Sequence, residues 1–112
     1  MSRRLRIDRL LASAPLFAAL GDQTRLAIVA QLCVEGPLPT LRLTEGTGMS
    51  RQAVSKHLVA LEEAGVVTSE RVGRERIWEL QPRELNRAQQ HLEAIAAHWD
   101  EALGRLRALV ED

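Results

Sequence analysis

The last third of the chain carries an apolar pattern that only a long helix satisfies. Eight apolar residues recur there at alternating steps of three and four: Leu85, Ala88, Leu92, Ile95, Trp99, Ala102, Leu106 and Leu109. This spacing predicts a helix of about 40 Å with apolar a and d positions, and Pro82 suits its first turn. Because a small domain offers little surface for so long a stripe, we expect a second copy of the chain to cover it in a homodimer. Packing of the helix onto its own domain is the alternative.

Length and composition favour a single soluble domain. The chain has 112 residues, of which 46% are hydrophobic, and its 15 Lys and Arg balance 15 Asp and Glu. Cys33 is its only cysteine, which excludes an internal disulfide and fits a reducing compartment. The longest apolar run, residues 10–20, is about half a membrane span, and the N-terminus lacks a signal-peptide pattern. We therefore expect a cytoplasmic protein with no membrane partner.

Two helices with a tight joint are predicted around Gly21, which separates two apolar runs. Asp22 or Thr24 can cap the second helix. Its apolar stripe is expected to be Leu26, Val29, Ala30 and Cys33. A lone cysteine on such a stripe is most often a small core residue, so we expect Cys33 to be buried. Glycine and prolines over residues 36–39 predict a loop, and a short helix is expected over residues 40–46.

Residues 51–64 predict a helix with one buried and one exposed face. Ser50 is a good N-cap, and Gly65 suits the left-handed conformation that ends a helix. At about 100° per residue, the buried stripe comprises Val54, Leu58 and Leu61. The opposite stripe comprises Gln52, Ser55, Lys56, Val59 and Glu63. Such a face suits the major groove of DNA, where polar groups contact base edges and an apolar group meets a thymine methyl.

After Gly65 the sequence changes to a strand pattern. β-branched and aromatic residues on both sides of a turn at residues 72–74 predict a two-stranded hairpin, with Trp78 and Leu80 on its inner face. We call residues 66–80 the wing. Three arginines lie close to its tip: Arg71, Arg74 and Arg76.

Together these elements predict a mainly α fold with a small β-hairpin, a winged helix-turn-helix with a long C-terminal dimerisation helix. We expect one domain with four parts. They are an N-terminal helical region over residues 1–20, a helix-turn-helix core over residues 22–64, the wing, and a dimerisation helix over residues 82–111. In such folds one helix enters the major groove of DNA and the hairpin contacts the neighbouring backbone.

The sequence resembles the ArsR/SmtB family of bacterial winged-helix transcriptional repressors. The resemblance rests on ALGDQTRLAIVAQL, SRQAVSKHLVALEEAGVV, GRERIWEL and HWDEALGRLRALVE, and covers about residues 14–110. It implies a homodimer that binds an inverted-repeat operator in double-stranded DNA and releases it when a signal arrives. The DNA-contacting residues that it implies are Ser50, Arg51, Gln52, Ser55, Lys56, His57, Arg71, Arg74 and Arg76. Val59 joins them from the exposed stripe. For His57, beside the buried stripe, helix packing or a phosphate contact is favoured over a base contact.

Many members of that family sense metal ions, but this chain lacks the residues of their sites. One family site uses a Cys-x-Cys pair, and Cys33 has no second thiol. Another lies on the last helix; His98 and Glu101 match its second half, whereas the positions of its first half hold no ligand. His91 and His98 would lie about 10 Å apart along a helix, too far to share an ion within one chain. We expect no metal or other cofactor, with a site bridging the dimer as the alternative.

The sequence therefore predicts a sequence-specific DNA-binding regulator, most simply a repressor, and not an enzyme. No spacing of nucleophile and base or phosphate-binding glycine loop supports catalysis. Two alternatives stay open: a winged helix that binds a different protein through its last helix, and a metal-responsive repressor with an inter-subunit site. The inducing signal, the operator sequence and any sensing role of Cys33, His91 or His98 also stay open.

Overall fold

The computed structural model describes residues 6–111. Within this range the helices are α1 Ile7–Ala12, α2 Ala14–Leu20, α3 Gln23–Glu35, α4 Thr40–Glu45, α5 Arg51–Glu63 and α6 Pro82–Glu111. The strands are β1 Leu38–Pro39, β2 Val67–Val72 and β3 Glu75–Leu80. Of the predicted N-terminal helical region, residues 1–5 lie outside the described residues. No helix within the described range is long and apolar enough to cross a membrane.

The ends of α3 and α5 form as their capping residues predict. Asp22 accepts a hydrogen bond from the backbone N–H of Arg25 at 3.0 Å, and Ser50 accepts one from Ala53 at 3.2 Å. Gly65 follows α5 with φ of 79°, the left-handed conformation that glycine adopts without strain. A side chain here would also meet α6, because an added Cβ would lie 2.9 Å from Cγ of Glu84. This glycine both ends α5 and lets the start of α6 pack against it.

The core lies between α2, α3, α4, α5 and the sheet. The predicted buried stripe of α5 is confirmed, since Val54, Leu58 and Leu61 are each 0% exposed. They pack with a cluster whose other members are Leu16, Ala19, Ile28, Leu32, Leu38, Leu43, Val66, Val67, Trp78 and Ala88. The α5 helix is therefore fixed by one face, which leaves its opposite face free.

The predicted buried face of α3 is wrong. Ile28 and Leu32 are buried there and Val29 is half-buried, whereas Leu26, Ala30 and Cys33 are exposed. Apolar residues occur all around this helix, so helical spacing fits several faces and does not select the one that meets the core. Cys33 is consequently a surface thiol and not a core residue.

The predicted hairpin is present, and the structure adds a third strand. Strands β2 and β3 are antiparallel, with Trp78 buried and Leu80 half-buried on the inner face as predicted. Strand β1 pairs with the other edge of β3, Leu38 opposite Trp78 and Pro39 opposite Ile77, in the order β1-β3-β2. The segment was predicted as a loop because it is only two residues long and holds a proline, which sheets accept at an edge.

The predicted terminal helix is confirmed as the 30-residue α6. It is about 45 Å long, and the molecule measures 67 × 25 × 21 Å. Only the start of its apolar stripe packs on the domain: Ala88 is buried and Leu85 is half-buried against the core. Further along, Leu92, Trp99, Leu106 and Leu109 are 54, 64, 58 and 77% exposed. Most of this helix therefore extends away from its own domain with its apolar side uncovered.

Candidate nucleic-acid interface

The exposed face of α5 has two sides. On one side Arg51, Ser55 and Val59 face the wing and line a groove between α5 and β3. On the other side Gln52 and Lys56 are exposed to solvent, directly opposite the buried stripe. The predicted polar stripe is therefore accessible along its length, with a groove along one edge.

The groove between α5 and the wing has a volume of about 370 Å³. Thr40 and Trp78 lie along it, and the indole Nε1 of Trp78 donates a buried hydrogen bond to Oγ1 of Thr40 at 2.9 Å. Because Thr40 begins α4, this bond fixes the sheet against the helix-turn-helix. Glu62 and Arg76 line the groove at the α5 and wing sides respectively.

All three wing arginines are exposed. Arg74 lies in the turn next to Gly73, whose φ of 64° lets the strands reverse direction. Arg71 and Arg76 are directly opposite each other in the β2–β3 register, although like charges at such positions repel. Because Glu70, Glu75 and Glu79 balance the three arginines of the wing, this cross-strand pair is only a local concentration of positive charge.

Arg76 does not extend freely into solvent. Its Nη1 donates a hydrogen bond to Oγ of Ser69 at 2.7 Å, and its guanidinium carbon lies 5.8 Å from the centre of the Trp78 ring. Oγ of Ser69 in turn donates to Oε2 of Glu62 at 2.7 Å. Ser69 and Glu62 were not among the predicted site residues, because their role depends on how α5 packs against β2.

His57 lies on the inner edge of α5, where it contacts the start of α3. Nε of Arg25 donates to Nδ1 of His57 at 3.2 Å, and the same nitrogen lies 3.9 Å from Oδ2 of Asp22. The backbone N–H of Arg25 holds the pKa of Asp22 below its ordinary value of 3.8, and His57 lowers this pKa further. With a side chain only 20% exposed, His57 fits the predicted helix-packing role better than a base contact. Sequence reasoning missed Arg25, whose role is visible only once α3 and α5 are packed together.

The potential metal ligands stay apart. Within residues 6–111, no group of three or more His, Cys, Asp or Glu residues could hold a metal ion. Nδ1 of His98 lies 3.8 Å from Oε2 of Glu101, one helical turn away, and these two residues make only a pair. Cys33 is exposed at the far end of α3. The donor set of one chain therefore does not fit a metal site.

A short helix, a turn, an exposed helix and an arginine-bearing hairpin define a winged helix-turn-helix protein of the DNA-binding class. Comparisons with known proteins agree, since residues 20–70 match a helix-turn-helix domain family. The chain is 36% identical over 93 residues to the HTH-type transcriptional regulator Rv2034 of Mycobacterium tuberculosis, covering 83% of each protein. It is 36% identical over 70 residues to the arsenical resistance operon repressor of Bacillus subtilis, covering 62% of this chain and 67% of that repressor.

Solved structures give the same result. An ArsR-like transcriptional regulator from Rhodococcus sp. RHA1 superposes with a TM-score of 0.73 at 38% identity, covering 87% of this chain and 91% of that one. The chain belongs to the ArsR/SmtB family of helix-turn-helix transcriptional regulators. It is a DNA-binding regulator of transcription, and proteins of this family are not enzymes, which confirms both predictions.

Proposed function

We propose that the chain acts as a homodimeric repressor that binds an inverted-repeat operator. Each α5 enters the major groove of one half-site, and each wing contacts the adjacent backbone. The observation that carries the dimer is the uncovered apolar stripe of α6, with Trp99 64% exposed in an isolated chain. The name of the Bacillus subtilis relative, an operon repressor, supports repression as the direction of regulation.

The dimer interface in this proposal is the a and d stripe of α6. Its members are Leu85, Ala88, Leu92, Ile95, Trp99, Ala102, Leu106 and Leu109. A second antiparallel or parallel α6 would remove these side chains from water, and each large apolar side chain fully buried contributes about 1.5–3 kcal/mol. A two-fold symmetric pair also presents two α5 helices, as an inverted repeat requires.

In this proposal, residues of α5 contact base edges and residues of the wing contact phosphates. Gln52 and Lys56 project opposite the core and contact base edges, with Val59 beside them for a thymine methyl. Arg51 and Ser55 line the groove between α5 and the wing, and Oγ of Ser50 caps α5 by accepting a hydrogen bond from the backbone N–H of Ala53. In the wing, Arg71, Arg74 and Arg76 contact phosphates and supply affinity that does not depend on sequence.

In this proposal the operator is not released by the binding of an arsenical, the class of compound in the name of the Bacillus subtilis relative. Cys33 is the only cysteine of the chain, so one protomer cannot supply a pair of thiolate ligands. The two Cys33 residues of a dimer lie on α3, away from the α6 stripe.

The test combines a mass measurement with operator binding. Light scattering of the purified chain should give twice 12.5 kDa, and gel shifts should show salt-sensitive binding to the DNA upstream of its own gene. Trp99→Glu should give monomers and lose the operator complex, whereas Gln90→Glu, on the outer side of α6, should change neither. A wild-type monomer, or a stable complex only with a different protein, would refute the homodimer.

A further inference from the structure

A continuous path of side-chain hydrogen bonds joins the recognition helix α5 to the wing. Arg76 donates to Ser69 and Ser69 donates to Glu62, each at 2.7 Å. The path has one direction, since the single hydroxyl proton of Ser69 goes to the carboxylate and its lone pair accepts from the guanidinium. Glu62 lies one turn beyond Leu58, near the end of α5, so the path crosses the groove at one end.

The same guanidinium also lies near the Trp78 ring. Arg76 stands 5.8 Å over Trp78, and Trp78 is itself fixed to Thr40 at the start of α4. Within residues 6–111 only one of the five guanidinium N–H groups donates a hydrogen bond, which leaves donors available to an anion. Arg76 therefore contacts Ser69 and Trp78 in the sheet, and through them it is linked to Glu62 of α5 and to Thr40 of α4.

The negative charge of Glu62 is unexpected on the side of α5 that is proposed to face DNA. A carboxylate on the DNA-facing side repels phosphates, and simple electrostatics predicts that its removal strengthens DNA binding. Arg71 lies directly opposite Arg76 in the sheet, where like charges repel each other. A carboxylate that anchors Ser69 would offset this repulsion.

We propose that Glu62 and Ser69 are positioning residues that hold Arg76 over the groove between α5 and the wing, ready to bind a DNA phosphate. This inference rests on the proposed use of α5 and the wing to contact DNA. Glu62 and Ser69 themselves contact no DNA. They act through Arg76, and their contribution disappears when Arg76 is absent.

Neighbouring glutamates on α5 provide a matched pair for the test. Glu62 makes the contact with Ser69, whereas Glu63 is exposed about 100° further round α5, on the side of Gln52 and Lys56, and makes no hydrogen bond or ion pair within residues 6–111. We expect Glu62→Ala to weaken DNA binding about threefold to tenfold, the scale of one lost hydrogen bond. We expect Glu63→Ala to leave binding unchanged or strengthen it up to about fivefold, because it only removes a negative charge. Equal strengthening by both variants would overturn the proposal.

Two further variants separate positioning from folding and from charge. Glu62→Gln removes the charge but keeps an acceptor for Ser69, so it should bind DNA at least as well as the wild type. In an Arg76→Ala background, Glu62→Ala should have no weakening effect, and this absence is the coupling that a double-mutant cycle measures. Circular dichroism melting of each variant controls for folding. Weakening by Glu62→Ala that persists without Arg76 would overturn the proposal.

The DNA probe is chosen so that this inference and the proposed function can fail separately. A phosphate contact does not depend on sequence, so each variant is titrated with a random-sequence duplex at low salt as well as with the upstream region of the gene. If the wild type does not prefer the upstream region, the proposed operator fails, and the Glu62 and Glu63 comparison on random duplex still decides the role of Arg76.

Discussion

At the scale of single residues, function depends on which side of α5 a side chain occupies. Gln52 and Lys56 face away from the core, Ser55 and Val59 face the wing, and His57 faces α3. Helical spacing predicted that the first two groups lie opposite the core, because one apolar stripe fixes the rotation of the helix, but it did not predict which of them face the wing. The hydrogen-bond partners of His57 and Arg76 were not predictable. Arg25 is 32 residues from His57 and Ser69 is 7 residues from Arg76, and each pair lies on two different elements that meet only when the chain folds.

Gln52 and Arg74 should affect DNA binding in different ways. In the proposed complex Gln52 pairs with a base edge, so Gln52→Ala should lower discrimination at one operator position by about 1–3 kcal/mol. Arg74 contacts a phosphate in the same proposal, so with Arg74→Ala all sequences should bind more weakly and the slope of log affinity against log salt should fall by about 1. Titrations with operator and single-base variants at several salt concentrations measure both. Unchanged base preference in Gln52→Ala would show that this side chain does not face the groove.

Asp22 should make a pH-dependent contribution to stability. Its pKa in the folded chain lies below 3.8, so the contribution is present above that value and is lost as pH falls through the folded pKa. Asp22→Asn keeps an oxygen that can cap α3 but loses the charge beside His57. The difference in melting temperature between wild type and Asp22→Asn should therefore shrink as pH falls from neutral to well below 3.8. A difference that stays constant over this range would exclude the charge as its source.

At the scale of elements, the helices that carry one clear apolar stripe were predictable and the others were not. α5 and α6 have such stripes and strong end signals, and both form as predicted. α3 is apolar on all sides, so its buried face depends on where α2, α5 and the sheet lie. β1 has too few residues to show a pattern and exists only because β3 offers it an edge.

Two glycines should respond oppositely to alanine. Gly65→Ala forces a side chain into the left-handed region and against Glu84, so the free energy of unfolding should fall by about 1–2 kcal/mol or more. Gly104→Ala, in the exposed middle of α6 with no atom within 4 Å of an added Cβ, should raise it by about 0.5–1 kcal/mol. Urea unfolding at equal protein concentration compares them. Equal effects would mean that the junction after α5 is not strained by a side chain.

At the scale of the whole molecule, the neutral total charge is matched by a near balance in each part. The chain has 15 basic and 15 acidic residues, the wing has three arginines and three glutamates, and α6 has four arginines and five acidic residues. Binding to random DNA should consequently be weak compared with a strongly basic protein, so that more of the operator affinity comes from specific contacts.

In the proposed dimer, the distance between the two α5 helices sets the spacing of the half-sites that it can bind. Inserting about 5 base pairs between half-sites turns one of them to the opposite side of the duplex, and binding should fall to the level of a single half-site. Inserting about 10 base pairs returns both half-sites to the same side of the duplex, and it should recover part of the affinity only if the dimer can span the longer distance. Gel shifts with these duplexes, beside an isolated half-site, measure the effect. If an insertion of about 5 base pairs left the affinity unchanged, a rigid two-fold arrangement of the dimer would be contradicted.

The close approach of Gly65 to Glu84 has a mechanical consequence. It places the end of α5 directly against the first turn of α6, and the backbone N–H of Gln81 donates to the carbonyl of Val66 at 2.8 Å beside it. A rigid joint at the base of a rod about 45 Å long converts small angles into large displacements: a tilt of about 5° shifts the far end by about 4 Å. In the proposed dimer, a ligand or protein that alters the crossing angle of the two α6 helices would change the separation of the two α5 helices by up to a similar amount, without touching the residues proposed to contact DNA.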